Sequence, residues 1–128
     1  MFDEAKLVLT RWFDAVNAGD LATVISMYAD DAVLLPTFSN KCLQDTAGRR
    51  GYFEKLTEHK ELNVSLHEPT LVIQRFSTMV YSLSGIYCWQ FMLEEEMLHF
   101  EARFTFTVDL EREKPVLHHH SSQVPRVL

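Results

Sequence analysis

The residues best equipped for chemistry sit in the C-terminal third of the sequence. "LHHHSS" sets His118, His119 and His120 in succession, "EARFTFTV" carries Arg103, and "SGIYCWQF" carries Tyr87 and Cys88. If the histidines lie on a strand, side chains alternate, so His118 and His120 share one face and His119 takes the other. Two histidines at i, i+2 can hold one side of a metal ion, but zinc needs at least a third protein ligand. His59, His67, His99 and the acidic residues are available, and no spacing singles one out. No metal and no cofactor are therefore expected. A neutral imidazole both donates and accepts, so His119 is a candidate general base, with Tyr87 or Arg103 placed to stabilise developing negative charge. The planar guanidinium of Arg103 could equally grip an anionic ligand in a bidentate fashion. Cys42 and Cys88 have no neighbour that would activate a thiol, and they form neither a disulfide framework nor a CxxC pair.

Two kinds of element must position these groups. Ala5, Val8, Leu9, Trp12 and Val16 recur at helical spacing and make one apolar face. "NAGD" ends that helix, with Gly19 free to turn left-handed and Asp20 able to cap a second helix carrying Leu21, Val24, Ile25 and Tyr28. "AVLLP" reads as a short strand ended by Pro36, "TFSNKCLQDT" as a loop, and "AGRRGYFEKLTEH" as a third helix. From Leu62 onward the period falls to two. "LNVSLHEPTLVI" is interrupted at Pro69. "MVYSLSGIYCWQF" and "MLHFEARFTFTVDL" are long strands joined at Glu94–Glu96, and the histidine segment is the last strand. Helices followed by long antiparallel strands indicate an α+β fold with helices on one side of a sheet. Alternation alone puts Ala102, Phe104, Phe106 and Val108 in the core and leaves Arg103 in solvent.

Bulk properties narrow the classes. One domain, residues 1–128, fits the length, and 47% hydrophobic residues are enough for a core. Twelve basic against eighteen acidic residues give a net charge of −6, which argues against nucleic acid as a partner. No apolar run is long enough for a membrane helix, and the N-terminus lacks the basic region of a secretory signal. A cytoplasmic location with reduced thiols is expected.

"DAVLLPTFSN", "GYFEKL", "SGIYCWQF", "ARFTFTV" and "LHHHSSQVP" occur in the order seen in stand-alone relatives of the association domain of calcium/calmodulin-dependent protein kinase II. The sequence thus resembles this branch of the nuclear-transport-factor-2-like (SnoaL-like) superfamily from about Leu9 to Pro125. The resemblance implies a cone: three N-terminal helices against a strongly curved sheet, antiparallel or mixed, around an internal cavity. It implies ligand-binding positions at Arg103, His119, Ser121, Tyr87 and Arg49, with Arg103 keeping one of the family's cavity arginines and the others replaced. It also turns Arg103, Thr105, Leu117, His119 and Ser121 inward and sends Phe104, Phe106, His118 and His120 to the outer face. Such an outer face needs a second subunit, so a homodimer or larger ring is expected, sensitive near pH 6 through its histidines. The implied function is a homo-oligomeric association domain binding a small polar or anionic organic molecule. The alternative is an isomerase, cyclase or hydrolase with His119 and Tyr87 as its catalytic residues; no inward carboxylate is evident for it. In 128 residues there is no room for kinase lobes or a calmodulin-binding segment, so neither kinase activity nor calmodulin binding is expected.

Overall fold

The computed structural model describes residues 2–125. Helix α1 (Phe2–Asn17) buries the predicted stripe of Ala5, Val8, Leu9, Trp12 and Val16. It ends at Gly19, whose φ of 67° is the left-handed conformation that glycine adopts at no steric cost. The Asp20 carboxylate then caps α2 (Leu21–Ser26), accepting from the Thr23 amide at 3.2 Å and the Thr23 hydroxyl at 2.6 Å. Helix α2 is shorter than its apolar spacing predicts, because Tyr28 opens strand β1 (Tyr28–Leu35) instead. Asp45 caps α3 (Thr46–Thr57) by accepting from the Gly48 amide at 2.7 Å. Two helices thus precede β1 and the third follows it.

Pro69 lies in a short 3-10 turn (Glu68–Thr70) that divides β2 (Asn63–Leu66) from β3 (Val72–Arg75). Strands β4 (Val80–Leu93) and β5 (Glu96–Asp109) form a long hairpin. Its two turn residues, Glu94 and Glu95, both have positive φ, which matches the twist of a two-residue hairpin without using the usual Asn-Gly pair. Strand β6 (Val116–Gln123) follows. The sheet order is β1-β6-β5-β4-β2, with β3 also paired to β4. All pairs are antiparallel except β1 with β6, so the sheet is mixed; it curls around the helices and does not close. The α+β class is as expected. Among the described residues no helix is long and apolar enough to cross a membrane.

The predicted facing of β5 is reversed. Phe104 and Phe106 are 3% and 1% exposed beneath the protein's own helices, while Arg103 lies in solvent. Strand pairing requires this. Phe104 stands opposite Ser121 and Phe106 opposite His119, and directly opposed residues point to the same face of a sheet. With His119 and Ser121 inward, both phenylalanines must be inward too. Thr105 accordingly faces outward, where its hydroxyl meets that of Ser84 at 3.2 Å. A bulge explains the remaining slip. Thr107 pairs with His118 but Val108 pairs with Val116, so Leu117 is an extra residue on β6. Val116 and His119 therefore both face the core, and Leu117 is only half-buried.

The sheet edge is docked by one side chain. Asn17, the last residue of α1, donates to the Val64 carbonyl at 2.9 Å and accepts from the Val64 amide at 2.7 Å, as a strand would. Asn17→Ala leaves both backbone groups of a buried residue without these partners. It is expected to cost about 1–2 kcal/mol in urea unfolding and to speed amide exchange at Val64.

Candidate functional site

Beneath the sheet, four elements converge on a chain of buried polar groups. Trp12 comes from α1, Tyr28 from β1, Tyr87 from β4 and His119 from β6, and all are at most 2% exposed. The Trp12 indole N–H donates to the Tyr28 hydroxyl at 3.1 Å. That hydroxyl lies 2.8 Å from His119 Nδ1, and His119 Nε2 lies 3.1 Å from the Tyr87 hydroxyl. Thr37, just past β1, touches both the Tyr87 and Ser121 hydroxyls.

The indole nitrogen can only donate, and one direction of the chain then leaves no buried proton unpaired. Tyr28 accepts from Trp12, and its own proton is paired when it goes to His119 Nδ1. His119 then carries its proton on Nε2 and donates to Tyr87, which in turn can donate to Thr37. Burial lowers the His119 pKa well below its ordinary value, with the neighbouring His118 and His120 adding to the shift. Burial likewise raises the Tyr28 hydroxyl well above its ordinary value and pushes Tyr87 up to about 12. The chain is therefore neutral at physiological pH. Both ring nitrogens of His119 are engaged within the protein, and its face stacks on Phe106 at 3.8 Å. Neither His119 nor Tyr87 presents a polar atom to open space, as a general base or acid must.

Arg49 was expected at a ligand rim, but it is 1% exposed and occupied. Between the pairs Tyr28–Val116 and Val33–His118, β1 has four residues opposite one on β6. The carbonyls of this irregularity need donors other than the ladder. Arg49 supplies them, donating to Ala32 O at 2.7 Å, Ala29 O at 2.9 Å and Asp30 O at 3.2 Å. It also donates to the Thr46 hydroxyl at 3.3 Å. Its role in this arrangement is to tie α3 to β1. Arg103 does not join this group: its side chain projects from the opposite face of the sheet to His119. The structure thus brings together Tyr87, His119 and Ser121 and separates them from Arg103. Trp12, Tyr28 and Thr37 complete the group and were missed, because in sequence they read as ordinary apolar-stripe and loop residues.

An open groove lies elsewhere. A groove of about 690 Å³ runs along the outer side of α3, between that helix, the loop after β1 and the end of β4. Under the sheet itself, the gap among Val8, Trp12, Leu83 and Phe106 leaves no room for a water molecule. Among the described residues, no three His, Cys, Asp or Glu side chains converge as metal ligands would.

Residues 3–125 match the calcium/calmodulin dependent protein kinase II association domain. The chain belongs to that family. No curated protein matches it. Among solved structures it is similar to a candidate association domain of the same kinase from Xanthomonas campestris, with a TM-score of 0.86 and 25% identity over 97% of this chain and 88% of that one. A candidate aromatic ring hydroxylase from Novosphingobium aromaticivorans has a TM-score of 0.80 at 15% identity, covering 95% of this chain and 87% of the other. An NTF2-like protein of unknown function from Pseudomonas putida has a TM-score of 0.79 at 18% identity, over 98% and 87%. The last two likenesses speak for the fold alone. In this association domain, the buried tyrosine–histidine chain links β1, β4 and β6 to α1.

Proposed function

We propose that this association domain is a homo-oligomeric module that pairs through the outer face of its sheet and also takes a small organic molecule. The family match over residues 3–125 carries the reading. The one-sided placement of the helices supports it, because the outer face is left uncovered. That face mixes half-buried Ile86, Cys88 and His118 with exposed Arg103 and His120. His118 and His120 remain candidates for the interface; Phe104 and Phe106 belong to the core.

A stable pair needs about 1,200 Å² of buried surface in total. Sedimentation velocity at micromolar concentration is expected to give a dimer or a larger ring. Ile86→Arg sets a second cation directly opposite Arg103 on that face, and it is expected to shift the distribution toward monomer without lowering Tm below that of the dissociated protein. A wild-type chain that sediments as a monomer removes the association reading. The enzymatic alternative is not favoured: its two candidate residues are both engaged internally, and the hydroxylase neighbour shares the fold only.

A further inference from the structure

The groove on α3 has a composition unlike the rest of this acidic chain. Its walls include Phe38, Leu43, Leu56 and Phe91, and Lys41 and Lys55 stand with them; no acidic side chain lines it. Among the described residues neither lysine forms an ion pair. Two cations beside an apolar channel, in a protein of net charge −6, are not explained by solubility.

Glycines in α3 leave part of the groove's wall bare. Gly48 and Gly51 line it, and a Cβ added at Gly51 would meet nothing within 4 Å. Glycine in a helix costs about 1 kcal/mol relative to alanine, and Gly51 needs no special backbone angle. At the far end, His59 donates Nδ1–H to the carbonyls of Lys55 and Leu56, both at 3.2 Å, and packs on Phe91 at 4.5 Å. That leaves its Nε2 as a further polar group at the rim. The volume falls within the range of small-molecule sites, about 300–1,000 Å³.

We infer that this groove binds an amphipathic carboxylate, its alkyl chain laid on the apolar wall and its carboxylate held between Lys41 and Lys55. The inference rests on the reading that the domain takes a small organic ligand; it moves the site from beneath the sheet to the outer side of α3. The alkyl chain gains by leaving water, and the lysines add charge-assisted hydrogen bonds that salt will weaken.

Octanoate is the probe, titrated calorimetrically at low ionic strength below its micelle concentration, with octan-1-ol as the uncharged counterpart. Octanoate is expected to bind once per chain, about tenfold more tightly than octanol. Lys41→Gln with Lys55→Gln is expected to bring the two ligands to equal affinity. Gly51→Leu fills the channel and is expected to weaken both at least about tenfold while Tm holds or rises. Absence of octanoate binding to the wild type overturns the inference, as does unchanged affinity in the Gly51→Leu variant. Conversion of an oligomer to monomer by Gly51→Leu would instead make the groove an interface between copies, and also overturns it. If that variant does not fold, the lysine pair decides alone. A monomer that still binds octanoate defeats only the association reading, and an oligomer that does not bind it defeats only this one.

Discussion

Trp12→Ala is expected to lower folding stability by about 3–5 kcal/mol, the largest effect of any single substitution considered for this chain. The ring sits where α1 meets the sheet. It stacks on Tyr87 at 5.9 Å with an interplanar angle of 12°, and meets Phe106 edge-on at 5.2 Å and His119 at 5.3 Å. Its indole N–H also begins the buried hydrogen-bond chain. Alanine would open a cavity among rings that belong to three strands and cannot all collapse into it. A domain of this size is stable by about 5–15 kcal/mol, so the variant would be marginal. Trp12→Phe keeps most of the volume and loses the donor, and about 1–2 kcal/mol is expected for it. Urea unfolding followed by circular dichroism measures both. A Trp12→Ala variant within about 1 kcal/mol of wild type would show that the core is not centred on this ring.

What the sequence revealed, and what it hid, divides along the range of the interactions. The stripe of α1 and the caps at Gly19 and Asp20 are set by residues within one turn, and spacing and residue type display them; the Asp45 cap of α3 lies in a stretch that reads as loop. Alternation along "MVYSLSGIYCWQF" likewise marks Met79, Tyr81, Leu83, Tyr87, Trp89 and Phe91, and all but the half-buried Met79 are buried. Alternation gave the correct face of β5 as well. The register drawn from the family resemblance overrode it and turned Arg103 inward. Cross-strand parity could have settled the conflict: an inward His119 and an outward Phe106 cannot stand opposite each other. The bulge at Leu117 and the four-residue irregularity in β1 have no sequence signature of their own. Arg49 is buried because it serves carbonyls about twenty positions away, so no local pattern announces it. The groove was hidden because it joins α3 to a loop and a strand end far apart in sequence, with Gly48 and Gly51 leaving part of its wall bare.

The second large effect is a loss of stability in mild acid. His119 is buried and neutral, with its pKa held well below the ordinary value, mainly by loss of solvation. In the unfolded chain it titrates near pH 6.5. Above that pH both states are unprotonated there, and stability does not depend on this group. Below it the unfolded state takes up a proton that the folded state refuses, so stability falls with pH until the folded pKa is reached. The loss approaches about 1.4 kcal/mol per pH unit, or about 2.7 kcal/mol between pH 8 and pH 4.5 if the folded pKa lies below that window. Asp20 and Asp30 have lowered pKa values, from the hydrogen bonds of Thr23 and Lys114 respectively, and their contributions are lost only at lower pH. His119→Gln keeps a donor and an acceptor among the tyrosines but cannot take up the proton. It is expected to start less stable and to show a flatter profile across the same window, in urea midpoints taken at half-unit steps. Equal slopes in the two proteins would mean that His119 is hydrated or already protonated in the folded state, and that the hydrogen-bond direction from Trp12 through Tyr28 to its ring is wrong.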